Sequence, residues 1–455
     1  MSYDALLKNA TAYALVFGAA DVTSSDMQTA IPKWFELYFQ NEATKEEDPC
    51  QRIPYTVVRK LTSAVFSEYS VGTKDAFADA ILAALGKKNT EAMQMALIGG
   101  ESLLKPIPGK NGFHFGVVPR YNVLVFGRDS DGKMTDIGTM EQSAAGVFYY
   151  TLLERRQVDD RGYLTIRNRL FRSYSQDNLG QEVPLNSLPK YADLPEEYTF
   201  GEPVDSIGLV SLRTPMVNCV DGTIDAVSVY AAAVGLIRNI NRNEAQINGE
   251  FERGKLRITV SADMFKKDHN GRPVLEDDVF VGLDDDQETI GISAFSPALR
   301  DQSFLARKQE YLRNVENIIG LKRGLLSEVE AAERTATEIT SSAGEYNLTI
   351  IDFQKMWDAA VKEVLRVCGI LGRLYRIPNA HDITEDQVTI SWGNGVLFDE
   401  EKTRQRMLSE VSAGLLQPER YLGFTYKLPC DTEAERAKIR KDYMPEAPED
   451  PVEDE

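Results

Sequence analysis

The chain has 455 residues, too many for one ordinary core at about 150 residues per domain, so several compact units are expected. Hydrophobic residues make up 43% and charged residues 27%, the balance of a water-facing globular protein, which excludes a membrane-embedded or wholly disordered chain. Asp and Glu outnumber Lys and Arg by 70 to 51, a formal net charge of −19, and this excludes a surface that grips phosphates along its whole length. An acidic channel wall past which DNA slides is not excluded, because each basic contact would add a sticky well to the path.

In chain order, Ala10–Ala20 is apolar but short and poorly flanked for a signal peptide, and no run reaches the length of a spanning helix. Ile31–Tyr38 reads as an aromatic-rich turn ahead of a helix. In Tyr55–Tyr69, Val57, Val58, Leu61, Ala64, Val65 and Phe66 recur at helical steps and predict one buried face. From Phe113 to Ile137 the pattern turns to strands, with Asp129-Ser130-Asp131-Gly132 as a hairpin turn rather than a calcium loop, since the terminal glutamate of such a loop is missing. Phe148–Arg156 and Tyr163–Ile166 read as further strands, making residues 1–225 an α+β block.

Beyond Asp225 the pattern becomes long helices around one insertion. Val227, Tyr230, Val234, Ile237, Ile240 and Ile247 form a stripe on a helix ending near Gly254. Strands at Leu256–Val260 and Val279–Leu283 follow, then a second helix with Phe304, Tyr311, Leu312, Val315, Ile318 and Ile319. Both stripes must be buried, and a closed ring of copies would do so between neighbours. A polar connector over 322–333 leads to a helical stretch, Arg334–Tyr346, and to a third helix carrying Ile350, Phe353, Trp357, Val361, Val364 and Leu365 on one face. A strand at Gln387–Trp392 and a helix at Asp399–Leu415 capped by Asp399 follow, and the Pro-rich acidic tail 444–455 is expected to be disordered.

Catalytic motifs are absent: there is no GxxxxGK[ST] phosphate loop, the GxxxxGK stretches at Gly127–Lys133 and Gly249–Lys255 being followed by Met134 and Leu256, and there is no HExxH or GxSxG. His114, His269 and His381 stand without partners at ligand spacing, and Cys50, Cys219, Cys368 and Cys430 are scattered, so reduced thiols and neither a metal site nor a disulfide framework are expected. No catalytic residue and no cofactor are expected. The cluster Glu276, Asp277, Asp278, Asp284, Asp285, Asp286 and Glu288 has no base among it and reads as a solvated face or a dock for a basic partner.

Two motifs carry a family resemblance. The stretch Glu250–Val260 and, more sharply, Thr335-Ala336-Thr337-Glu338-Ile339 resemble the portal proteins of long-tailed (siphovirus) phages. Collinear matches run through Trp34, Gly99-Gly100-Glu101 before Lys105-Pro106, Leu153-Glu154-Arg155-Arg156, and Phe398-Asp399-Glu400-Glu401, so the likeness covers about residues 30–440. Gly324-Leu325-Leu326-Ser327 and Ala332-Glu333-Arg334 depart from the family's pattern before Thr335. The resemblance implies an α+β portal fold: 1–225 the wing, 226–253 and 299–320 the stem helices, 254–298 the clip, 321–334 the tunnel loop, 335–372 the long wing helix, and 373–443 the C-terminal wing and crown region.

It implies a dodecameric homo-oligomer at the capsid vertex of a virion, assembled in host cytoplasm, with no membrane association. Non-specific double-stranded DNA would pass Lys322, Arg323, Arg334, Thr335, Thr337 and Glu338 of the tunnel loop. Asp277, Asp278, Asp284, Asp285 and Asp286 of the clip would dock partners. The implied partners are the terminase large subunit, the major capsid and scaffolding proteins, and a head–tail adaptor. Another ring-forming head–tail adaptor and a soluble enzyme with an unrecognised site are the alternative readings.

Overall fold

A computed structural model describes residues 10–39, 49–110, 112–254, 257–261, 269, 280–283, 293–295, 300–328, 336–384, 387–392, 400–426, 428–430 and 432–444. The architecture is α+β, in two compact units: Met1–Val65 with Val71–Ile390, and Phe66–Ser70 with Ser391–Glu455.

The first unit opens with α1 (Ala10–Phe17) and α2 (Ser25–Phe39). Helix α2 takes in Ile31–Tyr38, which the sequence suggested was a turn. Met27, Ile31, Trp34, Phe35 and Tyr38 lie on one face and are buried together. Their burial outweighs the interior Pro32, whose missing N–H costs about 3 kcal/mol in a helix. Helix α3 (Ile53–Val65) buries Val57, Val58, Leu61 and Val65, as its period predicts. After β1 (Ser70–Thr73), Asp75 caps α4 (Ala76–Gly86), its carboxylate accepting the Ala78 N–H at 2.7 Å.

Helix α5 (Asn89–Gly99) passes directly into β2 (Glu101–Gly109) through Gly100, φ +81°, where a Cβ would lie 2.4 Å from the Ala226 carbonyl oxygen. Strand β2 pairs antiparallel with β3 (Gly112–Pro119). The chain then builds an antiparallel meander from β4 (Val123–Arg128), β5 (Met134–Ala145), β6 (Phe148–Val158), β7 (Leu164–Ser173) and β8 (Gln181–Val183), and β9 (Glu197–Thr199) also pairs with β7. Alternation sorts its faces. Val123, Val125 and Ile137 join Ile207 and Leu209 on one side, while Leu124, Leu153 and Phe171 join Tyr13 of α1 on the other. Asp129 closes the β4–β5 turn as expected, its Oδ1 accepting the N–H groups of Asp131 and Lys133. Asp159 repeats the device at β6–β7 with Arg161 and Tyr163.

Strand β10 (Val210–Arg213) returns to the free edge of β2. Residues 226–230 are not helical as predicted, and Ala231–Ala233 form only a 3-10 turn ahead of the α-helix. Val229 N–H and Ser228 Oγ both donate to the Leu97 carbonyl, and Tyr230 donates its hydroxyl to the Trp34 carbonyl at 2.8 Å. Val227 and Tyr230 are therefore core residues of the N-terminal α+β block, and α6 runs only over Val234–Arg253.

Strands β11 (Arg257–Ser261), β12 (Phe280–Leu283) and β13 (Ser293–Phe295) form a small mixed sheet, β11 parallel to β12 and antiparallel to β13. Helix α7 (Asp301–Ile319) then returns along α6. Arg300 meets Glu250 at 2.9 Å, Asn243 donates to the Phe304 carbonyl at 3.0 Å, and Lys308 meets Glu244 at 2.7 Å, which fixes the pair antiparallel. Ile237, Ile240 and Ile247 of α6 and Leu312, Val315 and Ile319 of α7 are all buried within the chain. The inference that these stripes need a neighbouring copy is thus corrected.

Helix α8 (Ala336–Leu374) spans 39 residues, so the two predicted stretches join, and Ile350, Phe353, Trp357, Val361 and Val364 are buried on one face. Gly369 and Gly372 admit the following segment against it, since a Cβ would lie 3.0 Å from the His381 carbonyl oxygen and 2.8 Å from Ala380. Strand β14 (Val388–Ser391) pairs with β1. In the second unit, Tyr69 and Phe66 pack on Trp392, with Tyr69 at 4.7 Å between ring centroids. Helices α9 (Glu400–Ser412), α10 (Pro418–Tyr426) and α11 (Glu433–Tyr443) follow, with Thr432 and Glu435 forming a capping box on the last. The Asp399 cap and residues 445–455 lie outside the described residues. No described helix is long and apolar enough to cross a membrane.

Candidate functional site

Helix α7 stops because Gly320 takes the left-handed conformation, φ +75°, and Leu321 returns its N–H to the Glu316 carbonyl at 2.8 Å. Glycine is needed there twice over: a Cβ would lie 2.5 Å from Thr349 Oγ1 of α8.

The chain then doubles back. Glu316 is fully buried, and its Oε1 accepts N–H bonds from Gly324 at 3.1 Å, Leu326 at 2.5 Å and Ser327 at 3.0 Å. Its Oε2 accepts the Ser327 hydroxyl at 2.7 Å. Two turns earlier on the same face, Gln309 Oε1 accepts the Glu328 N–H at 2.8 Å. Residues 321–328 are therefore a strap lying along α7.

Lys322 and Arg323 stand at the apex of this strap, Lys322 half-buried and Arg323 exposed, and the Lys322 carbonyl accepts the Leu325 N–H at 3.1 Å. Thr337 and Glu338 fall in the first turn of α8, while Arg334 and Thr335 lie outside the described residues. So do Asp277, Asp278, Asp284, Asp285 and Asp286, which flank β12 in sequence. The structure thus brings together two of the six predicted channel residues. It adds Glu316, which sequence reasoning passed over as one more helical acid. The signal was its place four residues after Leu312 and three before Ile319, on the apolar stripe.

Two buried ion clusters hold the N-terminal α+β block. Arg128 meets Asp225 at 2.6 Å and Glu101 at 3.7 Å, Ser211 donates to Glu101 at 2.5 Å, and Arg120 reaches the Val123 carbonyl and Thr23 Oγ1. Glu154 takes both Lys105, at 2.8 Å, and Arg156, at 2.7 Å. Burial pushes the Glu154 carboxyl up, but the Arg156 and Lys105 charges outweigh it and bring it to about 2. That group stays ionised, the reverse of a general acid poised near neutrality. These clusters draw together Glu101, Lys105, Glu154 and Arg156, all from stretches that carried the family resemblance.

His381, read as unpartnered, meets Asp75 at 2.9 Å through Nε2, with Nδ1 2.8 Å from the Asn379 carbonyl. The Asn379 carbonyl raises its pKa most; burial opposes this, and the Asp75 and Asp382 carboxylates add to the rise, leaving the net shift upward. His114 and His269 are exposed, Cys368 is buried and Cys219 is exposed.

No family model matches the chain, and no curated protein matches it. Among solved structures, a chain of "Neck of native GTA particle computed with C12 symmetry" is similar at a TM-score of 0.44 and 10% identity, over 93% of this chain and 99% of that one. At that TM-score the likeness carries no inference.

Proposed function

We propose that the chain is a subunit of a tailed-phage portal, the ring through which double-stranded DNA enters and leaves the capsid. The observation that carries this reading is the order of elements after residue 233. Helix α6, the small sheet β12-β11-β13, antiparallel α7, the strap and the 39-residue α8 follow in turn. That is the order of stem, clip, stem, tunnel loop and long wing helix that the sequence resemblance implies.

In this reading the wing meets major capsid and scaffolding proteins, and the acids of the clip dock the terminase large subunit and the head–tail adaptor. Lys322 and Arg323 offer DNA a few non-specific, salt-sensitive contacts against an acidic background. This reading requires no cofactor and no bond chemistry of the chain. Phe251, Leu305 and Ile318 stay exposed on the stem pair and are surfaces a neighbouring copy would cover. Negative-stain imaging with light scattering of the purified chain tests the reading. A closed ring of many times 50.9 kDa with an axial channel is expected; a monodisperse monomer or dimer across several salt concentrations would sink it.

A further inference from the structure

We propose that Glu316 is a positioning residue: by closing the 321–328 strap on α7, its buried carboxylate fixes where Lys322 and Arg323 meet passing phosphates. This rests on the portal reading for its DNA part, whereas the strap itself does not.

Among the described residues no Lys, Arg or His lies within ion-pair distance of Glu316, and all four of its donors come from the strap. Removing a carboxylate from water is costly unless hydrogen bonds replace the hydration, and bonds to an ionised acceptor are about twice as strong as neutral ones. The charge is therefore compensated only while the strap is closed. Opening it would strand a carboxylate on the apolar stripe of α7 between Leu312 and Ile319, so the strap is either seated or replaced wholesale by water.

Gln309 pins the far end at Glu328, roughly 10 Å back along α7 from Glu316 at 1.5 Å per residue. The described strap thus ends at Glu328 on the flank of α7 rather than at its tip. Lys322 and Arg323 remain at the tip, on a turn closed by Leu325. In a ring every copy would hold this pair at one height, giving a narrow band of positive charge.

The test uses the full-length chain with Glu316→Ala, Glu316→Gln, Lys322→Ala/Arg323→Ala, and their combination. Hydrogen exchange at Gly324, Leu326 and Ser327 should quicken about tenfold or more in Glu316→Ala and less in Glu316→Gln, which keeps one acceptor oxygen. Unchanged exchange overturns the strap. DNA retention by packaged particles should fall in Glu316→Ala, and adding Glu316→Ala to Lys322→Ala/Arg323→Ala should lower it no further, because a residue acting through others adds nothing once they are gone. Additive losses overturn the positioning role. Should Glu316→Ala misfold, Gln309→Ala loosens the strap from its far end, and the same non-additivity is required of it. A parent chain that forms no ring, yet protects these amides, removes the portal reading and the DNA role together while the strap stands.

Discussion

Glu154 is buried between two cations and Glu316 is buried with none among the described residues, and the two carboxylates answer to different partners for that reason. Glu154 is compensated by charge. Replacing it by Gln leaves Lys105 and Arg156 in the interior without their counter-ion, and loss of one member of a buried pair costs about 3–5 kcal/mol. The acid limb of stability carries the same signature. The carboxyl sits at about 2 in the fold against 4.5 ordinarily, so its contribution is complete above pH 4.5 and is lost as pH falls from there through 2. Chemical denaturation across this range should show a shallower acid limb in Glu154→Gln than in the parent. Parallel limbs would show that the pair stores no pH-dependent stability.

Element boundaries show where local pattern yields to tertiary packing. The part of α8 from Ile350 to Leu365 was legible because its apolar face repeats without interruption, whereas its junction with the preceding stretch was not. Helix α2 was not, since Pro32 and dense aromatics suggest a turn until Trp34 and Phe35 are seen to be buried. At α6 the helical period of Val227 and Tyr230 was real but accidental: both are buried in the core of the N-terminal block, and bonds from Val229 and Ser228 to Leu97 keep their segment out of the helix. The end of α7 lends itself to a direct test. Gly320→Ala would force a side chain into left-handed backbone and against Thr349, at about 1–3 kcal/mol. Thermal denaturation should register the loss, and Thr349→Ala in the same chain should restore the steric part but not the conformational part. Full restoration would mean that the backbone conformation is not strained.

Across the whole molecule, what the sequence withheld were partnerships between distant residues. Nothing local relates Lys105 to Glu154, Arg128 to Asp225, or His381 to Asp75, and a single helical glutamate such as Glu316 looks solvated until the strap is placed over it. The broad order of helix, small sheet and helix was visible because periodicity changes with each element.

The meander has a consequence in time. Strands β4 to β8 each pair with their immediate neighbour in the chain, and two of their turns are pre-set by Asp129 and Asp159. Strand β10 must instead find β2, pairing Val210 with Leu104 across the whole length of the meander. Contacts of short loop length form in microseconds, whereas long-range closure waits on the entropy of the intervening chain. Newly made chains should therefore zip the meander first and dock the helices onto it afterwards, with β2–β10 closure as the gate. Pulse-labelled amide exchange during refolding is expected to protect β5 and β6 before β10. Simultaneous protection would mean that the sheets form as one nucleus.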